Sequence, residues 1–324
     1  MRRTTLSTAL LCLAIAALAP QAQAQGWPSR PVRMVVGFPP GGGTDILARI
    51  VAQKLSEAWG QPVIVENRPG ASATIGADVV AKAAPDGYTL SMGQFTPNAI
   101  APAIFPKLPY DAAKDFAPII LVGTSPNILV INPALPVKNV AELAALAKSK
   151  PGKLTYASSG PGSLQQIAAE LFKSMAGVDI VHVPYKGSGQ AVIDLVAGQV
   201  DMNFDSIPAV IQQVKSGKLR AIAVTAAKRA SAFPEIPAIA ESGYAGYDLT
   251  TWWGLFAPAG TPAKIVNKVH ADALAALRNA DLKAHFANLS VDPGGGTTAE
   301  FADYVRQEIA KYDMLTKRLG IKLD

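Results

Sequence analysis

The chain has 324 residues, of which 49% are hydrophobic and 17% are charged, and its formal net charge is +6. This composition indicates a well-packed globular protein and excludes a disordered one. The basic residues are scattered, without a basic run or interleaved aromatic side chains, so we expect no nucleic-acid partner.

Residues 1–24 have the pattern of a cleavable secretory signal peptide. Arg2 and Arg3 precede an apolar run from Leu6 to Ala19, and Ala22-Gln23-Ala24 supplies the small residues of a cleavage site. The run is shorter than the roughly 20 apolar residues that span a membrane. The only cysteine, Cys12, lies within it. We therefore expect an exported mature protein of about 300 residues without disulfides.

Residues 32–45 predict a buried strand, a loop of prolines and glycines, and the start of a helix. Thr44 is the expected N-cap, Asp45 places an acid in the first turn, and Gly60 is the expected end of the helix. A glycine loop between a strand and a helix presents free backbone N–H groups to an anion. A tight turn that binds nothing explains the same residues, and the loop alone does not decide between the two.

Strand and helix patterns alternate along the rest of the chain. Further strands are predicted at 63–66, 88–92, 154–157, 180–183, 200–204, 219–224 and 249–257. Helices are predicted through 75–80, 140–147, 167–175, 191–196 and 207–214, after Pro262, and from 297 to about 319. Two apolar runs, 117–122 and 128–132, flank Thr124-Ser125-Pro126-Asn127, and a polar loop is predicted at 94–98. The alternation implies a mostly parallel sheet, in which ligands lie at the carboxyl ends of strands.

The loop Ser158 to Ser163 repeats the opening pattern of a strand, a small-residue loop and a helix start. It lies about 120 residues after the first loop, which predicts two similar α/β lobes, each with one anion-binding helix end. The aromatic segment 249–257 is expected to return the chain to the first lobe, where the C-terminal helices also pack. For Trp252 and Trp253, packing in the core or hinge is favoured over stacking on a ligand.

No enzyme motif is complete in this sequence. No lysine follows the glycines at 41–43, which excludes a phosphate-binding P-loop, and Ile46 stands where a dinucleotide-binding loop needs its third glycine. The serines lack a G-x-S-x-G elbow, and the three histidines lie far apart along the chain. We therefore expect no cofactor and no metal. An exported enzyme that uses Asp205 or a serine remains the alternative.

Six stretches follow one another along the mature chain: VGFPPGGGTD at 36–45, VENRPGA at 65–71, PDGYTL at 85–90, YASSGPGS at 156–163, VPYKG at 183–187 and GQVD at 198–201. Together they resemble the periplasmic solute-binding proteins of tripartite tricarboxylate transporters, the Bug-type family. The resemblance implies an α/β clamshell similar to type II periplasmic binding proteins, with two doubly wound lobes joined by a strand hinge. It implies lobe 1 at 25–125 and 248–324, and lobe 2 at 126–247.

The same resemblance implies a monomeric periplasmic receptor that holds a small organic carboxylate between its lobes. The receptor would deliver this di- or tricarboxylate, aromatic acid or similar solute to the membrane permease subunits of a tripartite transporter. The implied ligand-binding residues are Phe38, Pro40, Gly41, Gly42, Thr44, Asp45, Gln94, Thr96, Asn127, Ser158, Ser159, Gly160, Ser163, Gln166 and Asp205. Gln166 and Gln190 stand where family members often have His and Pro, so the identity of the solute does not follow from the resemblance.

Overall fold

The computed structural model describes residues 26–230 and 233–322, so the predicted signal peptide at 1–24 lies outside the described residues. The strands are β1 (Val32–Val36), β2 (Val63–Asn67), β3 (Thr89–Gln94), β4 (Phe116–Ile131), β5 (Thr155–Ser158), β6 (Val181–Pro184), β7 (Met202–Ser206), β8 (Arg220–Val224), β9 (Thr250–Pro258) and β10 (Asp292–Gly295). The helices are α1 (Gly43–Trp59), α2 (Thr74–Ala81), α3 (Ala101–Ile104), α4 (Val140–Ser149), α5 (Leu164–Ala176), α6 (Ser188–Val196), α7 (Ile207–Lys215), α8 (Ala263–Arg278), α9 (Ala280–Asn288) and α10 (Thr298–Leu319). In these two ranges, no helix combines the length and the apolar character needed to cross a membrane.

The strands form a curled sheet in the order β2-β1-β3-β9-β4-β7-β5-β6, with β10 and β8 also paired to β4. The pairs β1–β2, β1–β3, β5–β6 and β5–β7 are parallel. The central pairs β3–β9, β9–β4 and β4–β7 are antiparallel. The prediction of a mostly parallel sheet is therefore right at the two ends and wrong in the centre. The reason is that β4 takes the chain from the first half of the sheet to the second, and β9 brings it back. These two central strands therefore run in opposite directions.

β4 lies in the centre of the sheet and pairs with strands of both halves. Residues 116–126 pair with β9, whereas residues 127–131 pair with β7 and β8. The two apolar runs predicted on either side of Thr124-Ser125-Pro126-Asn127 are therefore one continuous strand. Pro126 has no N–H to donate, and it lies where the ladder with β9 ends and the ladder with β7 begins. The predicted return strand is β9.

Trp252 on β9 is fully buried, as the sequence predicted. Its indole N–H donates to Glu308 Oε2 at 2.9 Å, and its ring makes a T-shaped contact with Phe301 at 6.0 Å between centroids. Both partners belong to α10, so the C-terminal helix packs against the centre of the sheet. An aromatic pair of this geometry stabilises the core beyond the area that it buries.

Two predicted helix caps are confirmed, and a third predicted cap is wrong. Gly60 ends α1 in the left-handed conformation, with φ of 63°, and Thr297 and Glu300 form the predicted capping box of α10. Thr44 is not the N-cap of α1, because Gly42 holds that position and Thr44 is already inside the first turn. The Thr44 hydroxyl is instead used in a contact with β3, described below.

The polar loop predicted at 94–98 is ordered backbone. Gln94 is the last residue of β3, and Thr96–Ile100 form a π-helical turn that leads into α3. Asn98 Oδ1 closes this turn by accepting the backbone N–H of Gln94 at 3.2 Å. A hydrogen bond of this kind between a side chain and the nearby backbone favours a turn over an open loop. The apolar pattern of the sequence did not indicate this turn.

Candidate functional site

A small polar cavity lies between the two halves of the sheet. Its volume is about 30 Å³, close to the share of one water molecule in liquid water. We call it the inner recess. It is lined by Phe38, Pro39, Gly42, Gly43, Thr44, Gln94, Phe95, Asn127, Ser159, Gln165, Ser188, Ser206, Thr251 and Trp253.

A larger cavity of about 350 Å³ shares Phe38 and Ser159 with the inner recess, so the two cavities belong to one cleft. We call it the outer compartment. It is lined by Phe38, Gly70, Ala71, Ser72, Ala73, Phe105, Ser159, Gly160, Pro161, Tyr185 and Lys186. The Ser72 hydroxyl donates to the Pro161 carbonyl across this cleft. The volume is near the lower end of the range of small-molecule pockets, which begins at roughly 300 Å³.

The N-terminus of α1 forms one side of the inner recess. The Thr44 hydroxyl donates to Gln94 Oε1 at 3.0 Å and accepts the indole N–H of Trp253 at 3.1 Å. These bonds turn the amide nitrogen of Gln94 away from Thr44. A Cβ at Gly43 would lie 2.6 Å from Ser206 Oγ, so any larger residue there would force the Ser206 hydroxyl to move. The first N–H groups of α1 have no acceptor within the helix, and they lie at this contact.

Asp45 holds the glycine loop in shape and does not line either cavity. Its carboxylate accepts bonds from both Arg49 Nε and Nη2, from Asn67 Nδ2 and from the backbone N–H of Gly41, all at 2.9 to 3.0 Å. Burial by itself would raise the pKa of Asp45, but these bonds hold that pKa below its ordinary value. Gly41 has φ of 89°, a conformation that the carboxylate bond stabilises and that glycine adopts without strain.

Gln165 forms the opposite side of the recess. Its Oε1 accepts the Ser159 hydroxyl at 2.9 Å, and its Nε2 donates to Ser188 Oγ at 3.0 Å and to Asp205 Oδ1 at 3.2 Å. The sequence analysis selected its neighbour Gln166 and missed Gln165. The apolar pattern of α5 could have identified Gln165, because this residue lies on the buried side of the helix.

Asp205 lies behind the recess and is fully buried. Besides Gln165, it accepts the Ser188 hydroxyl at 2.8 Å, Asn203 Nδ2 at 2.9 Å and the Ser206 N–H at 2.7 Å. Burial raises the pKa of Asp205 despite these four hydrogen bonds, each of which favours the ionised form. The carboxylate thus acts through Gln165 and Ser188, which do line the recess.

Ser158 is also fully buried and faces away from both cavities. Its Oγ lies 2.6 Å from His182 Nε2, and the imidazole stacks on Tyr156 with 4.8 Å between centroids. Burial lowers the pKa of His182, so the ring is neutral near pH 7, and its Nε2 shares one hydrogen bond with the Ser158 hydroxyl. The pair resembles the start of a catalytic dyad, but the serine oxygen has no access to the cleft.

The loop at 158–163 is held in its conformation by residues at and just after its end. Ser163 caps α5 and accepts the Gln166 N–H at 3.4 Å, and Gln166 Oε1 accepts the Gly162 N–H at 2.6 Å. Gly162 has φ of 73°. Gln166 therefore holds the loop that precedes its helix, and its side chain does not line either cavity.

Of the predicted ligand-binding residues, the structure brings seven to the cleft: Phe38, Gly42, Thr44, Gln94, Asn127, Ser159 and Gly160. The other eight lie behind or beside it: Pro40, Gly41, Asp45, Thr96, Ser158, Ser163, Gln166 and Asp205. The lining residues that sequence reasoning did not select include Gln165, Ser188, Ser206, Thr251, Trp253, Phe105, Tyr185 and Lys186. Within 26–230 and 233–322, no group of three or more His, Cys, Asp and Glu side chains is placed to hold a metal ion.

Comparison with known proteins gives a family match over most of the chain. The profile described as "Tripartite tricarboxylate transporter family receptor" matches residues 47–321. The chain is 37% identical over 312 residues to Protein BugT of Bordetella pertussis, which covers 96% of each protein. It is 39% identical over 290 residues to a UPF0065 protein from the tcbD-tcbE intergenic region of a Pseudomonas species, which covers 89% of this chain and 86% of that protein.

Solved structures give the same result. An R. palustris protein solved with adipate superposes with a TM-score of 0.89 and 39% identity, covering 91% of this chain and 99% of that one. MatC from Rhodopseudomonas palustris, with bound malate, gives a TM-score of 0.85 and 35% identity, covering 89% and 99%. The periplasmic binding protein BugD gives 0.87 and 33%, covering 91% and 99%. These similarities confirm the predicted fold class and the resemblance to the Bug-type proteins.

Proposed function

The chain belongs to the tripartite tricarboxylate transporter receptor family, and we propose that it binds a small carboxylate in the cleft formed by the inner recess and the outer compartment. Relatives of the same fold have been solved with adipate and with malate, which are both carboxylates. Solute binding is the role of this family, and the chemistry of the recess supports a carboxylate as the solute.

A set of donors without partners carries this proposal. Among the described residues, Gln94 Nε2 and Ser206 Oγ take part in no hydrogen bond, although both side chains are more than nine-tenths buried. The first-turn N–H groups of Gly43 and Thr44 add backbone donors at the positive end of a helix dipole. Carboxylate oxygens accept such donors strongly. None of the described residues that line the recess has a charged side chain, so dipoles and neutral donors would hold the anion.

We propose the lobe boundaries implied by the sequence, with lobe 1 at 25–125 and 248–324 and lobe 2 at 126–247. The chain crosses between them in β4 near Pro126 and again just before β9. A recess of about 30 Å³ has room for about one water molecule, which is less than a carboxylate group and its adjoining carbon need. The lobes therefore have to separate for the solute to enter, a hinge motion typical of this architecture.

We also propose that the mature chain begins after Ala24, acts in the periplasm as a monomer and passes its solute unchanged to membrane permease subunits. The enzyme alternative has no support from the cleft. Its strongest candidate, the Ser158–His182 pair, is buried away from both cavities. Recovery of the bound solute without chemical change is the expected result, and conversion of the solute by the purified protein would contradict it.

A thermal-shift screen of the mature protein tests the proposal. The panel contains succinate, malate, adipate, benzoate and glutamate, with succinamide and adipamide as uncharged matched compounds. An acid present at 100 times its dissociation constant stabilises the folded state by about 2.7 kcal/mol, which raises the melting temperature clearly. We expect at least one acid to stabilise the protein and its diamide to have no effect. Stabilisation by diamides alone would overturn the carboxylate assignment.

A further inference from the structure

Building on the proposed function, we infer that Lys186 is a specificity-determining residue that selects solutes with a second anionic group. Among the described residues that line the inner recess and the outer compartment, Lys186 is the only one with a charged side chain. It lines the outer compartment alone, whereas Phe38 and Ser159 line both cavities. A solute with one carboxylate at the recess donors would therefore direct its other end towards this ammonium group.

The described surroundings leave the charge of Lys186 available. In the two described ranges, no carboxylate oxygen lies within 4.0 Å of its Nζ. The acid on the helix that follows Lys186 is already used, because Asp194 accepts the Tyr185 hydroxyl at 2.9 Å and Gln190 Nε2 at 3.0 Å. Lys186 is exposed, so its flexible chain can follow an anion in the compartment.

The rest of the outer compartment suits the carbon skeleton of such a solute. Phe38, Phe105 and Tyr185 contribute aromatic rings, and residues 70–73 and 160–161 contribute backbone and small side chains. The compartment thus combines apolar rings with the cation of Lys186, and Phe38 and Ser159 connect it to the donors of the recess. This arrangement fits a dicarboxylate held at both ends, with its hydrocarbon part against the rings.

The test compares matched diacids and monoacids by isothermal titration calorimetry. The diacids from succinate to suberate are titrated into the wild type, and the tightest-binding member is paired with the monocarboxylate of equal carbon number. The same pair is then titrated into Lys186→Gln and into Lys218→Gln. Lys218 is an exposed lysine of the same lobe and lines neither cavity, so it controls for the loss of one unit of net charge.

We expect Lys186→Gln to weaken the diacid about three- to fivefold, the upper part of the range for an ion pair at an exposed site. The monoacid should change by less than about twofold, and Lys218→Gln should leave both affinities within that limit. Equal weakening of the diacid and the monoacid by Lys186→Gln, or equal effects of the two lysine variants, would overturn the inference. Wild-type protein that binds monoacids but no diacid would overturn it and leave the proposed function standing. If no carboxylate of either series binds, the proposed function itself fails.

Discussion

Asp205 sets the direction of the hydrogen bonds in front of it. Its two carboxyl oxygens accept hydrogen bonds from four donors, so Gln165 presents its Nε2 to Asp205 and its Oε1 to Ser159. Ser188 donates to the same carboxylate and accepts from Gln165. One buried group, which is not itself in the cleft, therefore fixes the orientation of three polar side chains that are.

Replacing Gln165 with Met tests this network. We expect the affinity for the bound carboxylate to fall at least about tenfold, because Ser159 and Ser188 lose the partner that orients them. The free energy of unfolding should fall by about 1–3 kcal/mol, since Asp205 loses a buried donor. Calorimetry and urea denaturation measure the two effects.

Gln190→Met is the matched control, because Gln190 is exposed and bonds only to Asp194. It should change the unfolding free energy by less than about 0.5 kcal/mol and leave the affinity unchanged. A Gln165→Met protein that binds as tightly as the wild type would contradict the role of this network.

The depressed pKa of Asp45 predicts an acid-sensitive contribution to stability. A group whose folded pKa is lowered stabilises the protein above its unfolded pKa, about 3.9, and loses that contribution as the pH falls through the folded value. We expect Asp45→Asn to lower the unfolding free energy by about 1.5–3 kcal/mol at pH 7, with the difference from wild type shrinking below about pH 4. Urea denaturation from pH 7 to pH 3 measures it.

Asp313→Asn serves as the comparison, because Asp313 forms only an exposed pair with Lys317 on α10. Its effect at pH 7 should stay below about 0.5 kcal/mol. A destabilisation by Asp45→Asn that is the same at pH 7 and pH 3 would show that the carboxylate charge is not its cause.

At the level of elements, β4 and β9 position the base of the inner recess. Asn127 of β4 donates to the Phe204 carbonyl at 2.7 Å and accepts the hydroxyl of Thr251 on β9. Trp253, two residues further along β9, reaches the start of α1. The strands that carry the chain between the two halves of the sheet thus also supply side chains to the inner recess, so the proposed hinge and the proposed site share residues.

The capping box of α10 gives a prediction about an element far from the cleft. Thr297 Oγ1 accepts the Glu300 N–H at 3.1 Å, and Glu300 Oε2 accepts the Thr297 N–H at 2.7 Å. We expect Thr297→Ala to lower the unfolding free energy by about 1 kcal/mol without changing the affinity for the solute. Thr298→Ala, one position inside the helix, should cost less than about 0.5 kcal/mol. Equal losses in the two variants would argue against the cap.

At the level of the whole molecule, the two sides of the cleft touch at several points. Gly43 faces Ser206, Ser72 donates to Pro161, and a Cβ at Gly42 would lie 3.9 Å from the Cβ of Ser188. These contacts join parts of the chain that the proposed lobes separate. If the proposed lobes separate to admit a solute, these contacts have to break. When the lobes close again, contacts with the solute have to replace them.

A disulfide between positions 42 and 188 tests this requirement. The separation of 3.9 Å is within the range of disulfide Cβ atoms, and Gly42 has φ of −82°, which cysteine adopts readily. We expect the oxidised double variant Gly42→Cys, Ser188→Cys to bind no carboxylate, and the reduced form to bind again but more weakly than wild type, because it lacks the Ser188 hydroxyl. The single variant Gly42→Cys, treated with the same oxidant, is the control. Binding that is equal before and after reduction would show that the cleft does not need to open.

Much of the element order was predictable because its signals are local. The β-branched run of β1, the left-handed Gly60 and the capping box of α10 depend on residues within a few positions of one another. The loop at 158–163 was likewise recognisable as a strand exit before a helix. The sequence by itself therefore determined the α/β class, most strands and helices, the family and the two loops that contribute residues to the cleft.

The tertiary structure decided which side chains line the cleft. Successive residues of a helix differ by about 100° in direction, so Gln165 faces the recess while its predicted neighbour Gln166 holds the loop. Asp205 lies behind the recess because the buried faces of β7 and α5 close over it. Trp253 reaches Thr44, which lies 209 residues earlier in the chain. Such contacts depend on how distant elements pack, and no local pattern in the sequence encodes that distance.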